Sequence, residues 1–343
     1  MNIQQALMVL VEGRDLSRSE TQDVFQLIMS GQATPAQIGA FLAAIRVKGE
    51  TPQEVAGAAQ VMRDLSTSVD VTHPNLVDTC GTGGSGSKLF NISTAAAFVA
   101  AAAGAHVAKH GNRKMTSFCG SADVLEAAGV NLELSPEQIA TCVNEIGVGF
   151  MFAPAHHSAM RFAGPVRQEI GVRTMMNVLG PMTNPAGAKR QVIGVFSASW
   201  QRTMAEVLAI LGSEHAMIVH SEGLDEIRLD APTRVVELKD DEIKEFDITP
   251  TDFGFETINA ETTASLSADS TESSLALVKS AISNPTTPEA NIVALNAGAA
   301  IYVSGVATTL ANGVTMAQDA IASGLAKERL DELVRVTTLM GEI

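Results

Sequence analysis

The chain has 343 residues, which is enough for one large or two medium domains. Hydrophobic residues make up 46% of it and charged residues 18%, a composition that excludes a disordered or low-complexity chain. Its formal net charge of −15 argues against nucleic-acid partners and against anionic membranes, because the phosphate groups of both would be repelled.

The sequence predicts a cytoplasmic protein. Its three cysteines, Cys80, Cys119 and Cys142, have no CxxC spacing, so we expect neither a disulfide framework nor a zinc site. The first ten residues contain no basic segment, so we expect no signal peptide. The longest weakly polar run, Ala95 to Ala108, is too short to span a bilayer.

The first 67 residues predict four short helices. Thr34 to Gln37 and Thr51 to Glu54 each offer a capping Thr, a Pro at the first helical position, and a Gln or Glu that can bond back to the cap. Gly31 lies where the helix that begins near Ser19 should end. Such a bundle is too small for a generous core, so we expect it to dimerise or to pack against the rest of the chain.

After residue 74 the pattern changes to strands alternating with helices. Asn75 to Thr79 predicts a strand, Thr94 to Ala103 an alanine-rich helix, and His106 to Lys109 the next strand. A strand, a glycine-rich loop, a helix and a strand in about 35 residues form a βαβ unit, which implies a parallel sheet.

Later segments extend this sheet. Gln191 to Ser197 and Ala216 to His220 predict buried strands. Thr233 to Glu237 and Ile243 to Ile248 predict an antiparallel hairpin, and Pro288 to Met340 predicts helices. The fold class is therefore α/β, with a helical N-terminal part.

The strongest local signal is the run from Asp78 to Gly86, which contains four glycines and precedes Asn91-Ile92-Ser93-Thr94 at a predicted helix start. Glycines let the backbone approach a ligand closely, and a helix N-terminus favours an anion. The run matches neither the Walker A pattern nor the GxGxxG dinucleotide pattern. Taken alone, it is more typical of an ordinary glycine-rich turn followed by a helix cap.

The charge distribution favours the anion site. No carboxylate occurs between Asp78 and Asp123, although the chain has 38 acidic residues. The next predicted strand ends in Lys109-His110-Gly111-Asn112-Arg113. Because ligands gather at the carboxyl ends of parallel strands, we expect both segments to face one pocket for a highly charged anion.

Two further segments are candidates for the same pocket. His156 and His157 begin a basic stretch, and because they lack spaced metal-ligand partners, we expect them to pack or to contact substrate. Gly180 to Pro185 predicts a turn over the site. Asp225 and Glu226 follow a predicted strand, and beside a polyphosphate they would bind magnesium, although surface acids are also common there.

These residues resemble the anthranilate phosphoribosyltransferase family, which shares the class II nucleoside phosphorylase-like fold. The matching motifs run nearly end to end and in the same order: Gly81-Thr82-Gly83-Gly84, Asn91-Ile92-Ser93-Thr94, Lys109-His110-Gly111-Asn112-Arg113, Gly120-Ser121-Ala122-Asp123, Arg173-Thr174, Asn177-Val178-Leu179-Gly180-Pro181 and Leu224-Asp225-Glu226.

The resemblance implies a fold and a reaction. A small, all-helical, dimerising domain would cover residues 1–70 and be completed by a segment returning at about 160–185. A large α/β domain, with a mostly parallel central sheet flanked by helices, would cover 71–343, and the site would lie at the hinge. The implied glycosyltransferase reaction transfers phosphoribosyl from 5-phospho-α-D-ribose 1-diphosphate to the amine of anthranilate, the second step of tryptophan biosynthesis from chorismate.

The resemblance also assigns roles to residues. The implied phosphoribosyl diphosphate contacts are Gly81, Gly84, Ser85, Leu89, Asn91, Ile92, Ser93, Thr94, Lys109, His110, Gly111, Asn112, Arg113, Lys114, Met115, Thr116, Ser117 and Ser121. The implied anthranilate contacts are Gly81, Asn112, His157 and Arg167. Ser93, Asp225 and Glu226 are the implied ligands of two Mg²⁺ ions per active site. We expect no residue to be an essential catalytic base. If one residue does act as a base, the candidates are His110 and His157.

The chain departs from the family at three places. Ser85 replaces a frequent Asp, Leu89 replaces a usual Ser or Thr, and Phe118-Cys119 replaces a usual Lys-Ser. The last two changes remove polar groups from the phosphate side, so we expect them to alter substrate affinity more than the reaction.

Two other functions are compatible with parts of the sequence. Pyrimidine nucleoside phosphorylases share the fold and a similar Lys-His-Gly-Asn strand end, but they require a longer chain and a Thr-Gly-Gly-Thr signature. A non-enzymatic nucleic-acid-binding homologue would need a basic groove, against which the net charge of −15 argues.

Overall fold

The computed structural model describes residues 1–84, 86–113 and 119–341. The chain begins with four helices: α1 (Ile3–Val11), α2 (Arg18–Met29), α3 (Pro35–Lys48) and α4 (Pro52–Asp64). Each begins at a capping box, in which the cap side chain and the third helical residue satisfy each other's backbone N–H groups. The four predicted helices are confirmed.

The centre of the molecule is a seven-stranded sheet with the order β3-β2-β1-β4-β5-β6-β7. Neighbouring strands from β3 to β5 are parallel, and β6 and β7 are antiparallel to their neighbours. The predicted α/β class with a mostly parallel sheet is confirmed. The strands are β1 (Leu76–Gly81), β2 (His106–Gly111), β3 (Val148–Phe152), β4 (Arg190–Gly194), β5 (His215–His220), β6 (Thr233–Lys239) and β7 (Glu242–Ile248).

Helices flank the sheet on both faces. They are α5 (Ile92–Ala102), α6 (Ser121–Ala128), α7 (Pro136–Ile146), α8 (Ala153–His156), α9 (Met160–Ile170), α10 (Gln201–Ile210), α11 (Ala260–Ser265), α12 (Thr271–Ala281), α13 (Pro288–Ser304), α14 (Leu310–Ala322) and α15 (Leu325–Gly341). Short 3₁₀ turns lie at Met175–Asn177, Gly180–Thr183, Ala198–Trp200 and Pro250–Phe253.

Two large hydrophobic cores hold these layers together. One packs α5 and the C-terminal helices against one face of the sheet. The other joins the buried faces of α1 to α4 with α10 on the opposite face, and it includes Ala163 and Val166 of α9. The N-terminal helices therefore pack on the sheet and share a core with it.

The predicted boundaries differ from the structure in places. The predicted strand over Gln191 to Ser197 ends at Gly194, and the alanine-rich helix starts at Ile92 because Asn91 occupies the cap position. The antiparallel hairpin is confirmed. Strand β3 was not predicted, since its five residues include Gly149 and show no alternation.

Strand β1 changes its backbone partner along its length. It pairs with β2 at Leu76 and Val77, and with β4 from Asp78 to Gly81. At their carboxyl ends β1 and β2 are therefore linked by side chains, and a cleft opens there.

Along the ranges described, no helix is long and apolar enough to cross a bilayer. The cysteines Cys80, Cys119 and Cys142 are buried.

Candidate functional site

Two cavities lie side by side at the carboxyl ends of the parallel strands. One, of about 280 Å³, lies between the glycine-rich loop, the N-terminus of α5 and the Asp225-Glu226 loop. The other, of about 560 Å³, lies between α4, α8, α9 and the turns at 175–183. We call them the polar and the apolar cavity. Their shared wall consists of Cys80, Gly81, Thr82, His110, Gly111, Asn112, Arg167 and Asn177.

The first turn of α5 is open to the polar cavity. Asn91 stands at its cap position but makes no capping hydrogen bond, because its Oδ1 accepts a hydrogen bond from Ser274 Oγ at 2.7 Å. In the same turn the Ile92 N–H donates to the Phe90 carbonyl oxygen at 2.7 Å, and the Ser93 N–H donates to Glu226, so an anion here would replace or share these bonds. Gly83 and Gly84, both at positive φ, line the opposite side.

Lys109 is the cation at the base of the polar cavity. Its ammonium group donates to the carbonyl oxygen of Thr79, and to Ser93 Oγ at 3.2 Å, while only 3% of the residue is exposed. Burial lowers the pKa of Lys109, against the opposing effect of Asp78 and Glu226. Since Lys109 and His110 are neighbours on a strand, their side chains leave it on opposite faces.

The Asp225-Glu226 loop fits against two glycines. A Cβ at Gly194 would lie 1.7 Å from the backbone oxygen of Asp225, and one at Gly81 would lie 3.0 Å from its Oδ2. The backbone N–H of Ser93 donates to Glu226. Desolvation and the adjacent Asp225 raise the pKa of Glu226 to about 8, although Lys109 and the Ser93 N–H oppose this rise. Two crowded carboxylates beside a hydroxyl are a donor set suited to a hard divalent cation.

Most of the remaining predicted phosphoribosyl diphosphate contacts also line the polar cavity. Gly81, Gly84, Leu89, Asn91, Ser93 and the segment from Lys109 to Arg113 do so, as does Ser121. The Ile92 side chain instead lies in the core, and Thr94 is buried with its Oγ1 unpartnered. Ser85, Lys114, Met115, Thr116, Ser117 and Phe118 lie outside the described residues.

Arg113 is engaged away from the cavity floor. Its guanidinium pairs with Glu126, at 2.6 Å from NH1 to Oε2, and with Asp123 at 3.3 Å. It also lies 5.5 Å from the ring centroid of Phe152. The two altered positions Leu89 and Cys119 both line the polar cavity, where they present apolar or weakly polar groups.

Two histidines face the apolar cavity. The Nε2 atoms of His110 and His157 are buried and have no hydrogen-bond partner among the described residues, while the two rings bond to the backbones of Gly180 and Thr183 respectively. Burial lowers the pKa of His110 to about 3, helped by the nearby His157 and His156, and lowers the pKa of His157 to about 4. Both rings are therefore neutral at pH 7.

His156 has a different role. Its Nδ1 lies 2.7 Å from the carbonyl oxygen of Thr67, whose N–H donates to the His156 carbonyl at 2.9 Å. It fastens α8 to the segment after α4. The two adjacent histidines therefore have different roles, because His156 packs against the segment after α4 and His157 lines the apolar cavity.

Arg167 lies in the shared wall. Burial lowers the pKa of its guanidinium, and in the part of the chain that the structure describes it has no ion pair, not even with Glu169. Asn177 lies in the same wall with its Oδ1 accepting the Thr174 N–H at 3.0 Å. A cation and an amide therefore stand where the two cavities meet.

Several lining residues were not predicted from the sequence. Met62, Met160 and Met176 supply apolar surface, and Cys80 and Thr82 belong to the shared wall. Methionines at helical spacing give no sign of a pocket, since the same pattern is typical of an ordinary core. Thr82 lies within the glycine motif, but the motif predicts ligand contacts for its glycines and none for this residue.

Family models match both parts of the chain. A glycosyl transferase family helical bundle domain matches residues 4–66, and a glycosyl transferase family a/b domain matches residues 73–327.

Relatives of similar length match along almost the whole chain. The anthranilate phosphoribosyltransferase of Teredinibacter turnerae is 57% identical over 99% of this chain and 100% of its own, and that of Saccharophagus degradans is 56% identical with the same coverage. The crystal structure of the Thermus thermophilus enzyme is 41% identical, with a TM-score of 0.91 over 97% of this chain and 99% of its own. The Saccharomyces cerevisiae enzyme in complex with PRPP and Mg is 24% identical, with a TM-score of 0.87 over 98% of both chains, and shares the fold. The chain belongs to the anthranilate phosphoribosyltransferase family.

Proposed function

We propose that the two cavities hold the two substrates of the reaction of the family. The chain transfers the phosphoribosyl group from 5-phospho-α-D-ribose 1-diphosphate to the amine of anthranilate and releases diphosphate, the second step of tryptophan biosynthesis from chorismate. The observation that carries the proposal is the pair of cavities with one shared wall, since the reaction needs two unlike substrates in contact.

The polar cavity holds the phosphoribosyl diphosphate. Its support is the combination of the glycine-rich loop, the uncapped start of α5 and the buried ammonium of Lys109. Backbone N–H groups and a fixed cation stabilise negative charge on the departing diphosphate without reorganising. Because Ser85 and Lys114 to Ser117 belong to the same two segments, we propose that they complete this site.

Ser93, Asp225 and Glu226 hold magnesium, in our proposal two ions. The raised pKa of Glu226 supports this, because crowded carboxylates are relieved by a divalent cation. The described residues include no group of three or more His, Cys, Asp or Glu side chains placed for a metal, so substrate oxygens would complete the coordination. Mg²⁺ supplies charge that offsets the developing diphosphate anion.

The apolar cavity holds anthranilate. Arg167, with no ion pair along the described ranges, suits a carboxylate that accepts two parallel hydrogen bonds. Methionine and proline side chains surround the space next to it and suit the aromatic ring. Gly81, Asn112 and His157 complete the proposed contacts, and Gly81 and Asn112 lie in the shared wall, where the amine must meet the ribose.

The histidines orient the amine instead of acting as strong bases. Each neutral ring has a buried Nε2 beside the cavity, without a partner among the described residues, and this nitrogen can accept a hydrogen bond. The aromatic amine is uncharged at pH 7, and a group whose pKa is about 3 or 4 is a weak base there. The barrier is therefore lowered chiefly by positioning and by stabilising the leaving group.

Anthranilate fluorescence tests the function. We expect the signal to disappear only when phosphoribosyl diphosphate and Mg²⁺ are both present, and diphosphate to be released in equal amount. Phosphorolysis of uridine without anthranilate consumption would instead favour a pyrimidine nucleoside phosphorylase. A shift of single-stranded DNA at physiological salt would favour the nucleic-acid-binding alternative.

We also propose a cytoplasmic homodimer formed by a helical domain of residues 1–70 and about 160–185, with 71–343 as the α/β domain. Val11 on α1 and Val47 on α3 are 74% and 89% exposed, which supports association of this bundle. Light scattering during gel filtration tests it, and a monomeric mass at micromolar concentration would refute it. The odd number of cysteines, three, and their lack of CxxC spacing are consistent with a reducing compartment.

A further inference from the structure

Asp78 is a buried acid that the proposed chemistry does not use. It is the third residue of β1 and has no exposed surface. Alternation along the strand places its side chain on the same face as Cys80, while the hydroxyl of Thr79 leaves the other face and lies 3.5 Å from the ammonium of Lys109. A carboxyl group buried in this way requires hydrogen-bond partners.

Each oxygen of Asp78 has a partner from another element. Oδ1 accepts the backbone N–H of His110 at 3.2 Å. Oδ2 accepts a hydrogen bond from Asn184 Nδ2 at 2.8 Å, and Gln191 Nε2 lies 3.5 Å from it. One carboxyl group therefore links the ends of β1 and β2 to β4 and to the segment after the 3₁₀ turn at 180–183.

The partners extend the link. Asn184 Nδ2 also donates to the carbonyl oxygen of Ala108 at 2.9 Å, and Gln191 Nε2 donates to that of Pro181 at 2.7 Å. These bonds occur where the backbone pairing of β1 with β2 has ended at Val77. Side-chain hydrogen bonds therefore replace the backbone hydrogen bonds between β1 and β2 at the point where the cleft opens.

The linked segments carry the walls of both cavities. His110 leads into Gly111 and Asn112 of the shared wall, and its ring bonds to Gly180. The ring of His157 bonds to Thr183, directly before Asn184. Asp78, Asn184 and Gln191 form what we call the Asp78 cluster. Movement of this cluster would therefore displace both imidazoles and the wall where the substrates meet.

We propose that Asp78 is a positioning residue for the transfer reaction. Through His110 and Asn184 it holds the shared wall in the position that brings the amine of one substrate within reach of the ribose of the other. The proposal rests on the proposed function. Misplacement by a fraction of an ångström lowers the rate of aligned reactants much more than it weakens the binding of either one.

The test is Asp78→Asn, which keeps the shape but turns an N–H₂ group toward the donors of Asn184 and Gln191. We expect kcat to fall about 30-fold, while the Kd for phosphoribosyl diphosphate, measured by calorimetry with Mg²⁺, changes less than about threefold. The matched control is Glu237→Gln, another buried acid of the sheet, whose Oε1 lies 2.8 Å from His215 Nε2. Its melting temperature should fall similarly, with kcat unchanged.

The outcomes separate the proposal from the function. Failure of the wild-type protein to turn over refutes the function itself. An active wild type with an equally active Asp78→Asn variant overturns the positioning role, and so does an equal loss of kcat in Glu237→Gln. If Asp78→Asn does not fold, Asn184→Ala decides, because it removes two bonds of the cluster. Unchanged kcat in that variant, or failure of both to fold, also overturns the proposal.

Discussion

The ring centroids of His110 and His157 lie 5.0 Å apart at an interplanar angle of 57°, and each Nε2 is buried and unpartnered. The two rings come from β2 and from the end of α8, and both face the apolar cavity. Since burial keeps them neutral, we expect them to act as hydrogen-bond acceptors and to orient the amine in the proposed site.

Loss of either histidine should slow the reaction without stopping it. For His110→Ala and for His157→Ala we expect kcat to fall less than about 100-fold, because general-base catalysis is not the main contribution. Single-turnover measurements at saturating substrates check this. Complete loss of turnover in one variant that still binds both substrates would contradict it and assign an essential base.

The same rings should make stability depend on pH. Their pKa values in the folded protein, about 3 and about 4, lie below the ordinary value, so the unfolded chain binds more protons. Their contribution is present above pH 6.5 and is lost as pH falls toward 4. Between pH 7.5 and 4.5 we expect a loss on the order of 3 kcal/mol per ring.

Urea unfolding at several pH values measures this loss. The double variant His110→Gln/His157→Gln is the control, because it should have a flatter profile over the same range. A slope in the double variant as steep as in the wild type would show that other groups cause the acid sensitivity.

Arg167→Ala should weaken anthranilate binding selectively. We expect the KM for anthranilate to rise by about 10- to 100-fold, the cost of a lost charge-assisted hydrogen bond in a partly buried site, with the KM for phosphoribosyl diphosphate nearly unchanged. Arg167→Lys should not restore it, since an ammonium cannot bond both oxygens in parallel. Arg161→Ala, in the same cavity but packed over Phe162, is the control.

Equal rises in both KM values of Arg167→Ala, accompanied by a lower melting temperature, would indicate a structural role for this arginine.

Removal of magnesium should abolish phosphoribosyl diphosphate binding as well as turnover. Without a cation, the Asp225 carboxylate repels the diphosphate, and Glu226, whose pKa is raised to about 8, is mostly protonated at pH 7 and offers no ligand charge. We expect Glu226→Gln to need a higher Mg²⁺ concentration for half-maximal binding and to lose about 100-fold in kcat, with little change in melting temperature. Glu222→Gln, at an exposed acid of the same loop, should match the wild type. Full activity in excess EDTA would refute the metal assignment.

Gly194→Ala should displace the Asp225-Glu226 loop, which packs on this glycine. A Cβ at this position would overlap the backbone oxygen of Asp225, so the loop must move or the strand must bend. We expect a loss of about 2 kcal/mol or more in unfolding free energy and a weaker response to Mg²⁺. The control is Gly39→Ala on α3, where the added carbon would meet Val166 at an ordinary 3.7 Å. Normal magnesium titration of Gly194→Ala would contradict the tight fit.

Local signals explain what the sequence predicted well. Capping boxes, glycines and the acid-free stretch after Asp78 act within a few residues, so they predicted the four N-terminal helices and the polar cavity. The Asp78 cluster was invisible, because Asn184 lies 106 residues away along the chain. The apolar cavity was only partly predicted, since Met62 and Met176 meet through packing that no short pattern encodes.

The division of the site between two structural parts has a consequence for specificity. In the proposed site, donor recognition depends on strand ends and the start of α5, whereas the far wall of the apolar cavity comes from α4, α8 and α9. We therefore expect substitutions at Met62 or Met160 to change which aromatic amine is accepted while leaving diphosphate chemistry intact. Evolution can exchange the acceptor independently of the donor, provided that the strand end from His110 to Asn112 is preserved.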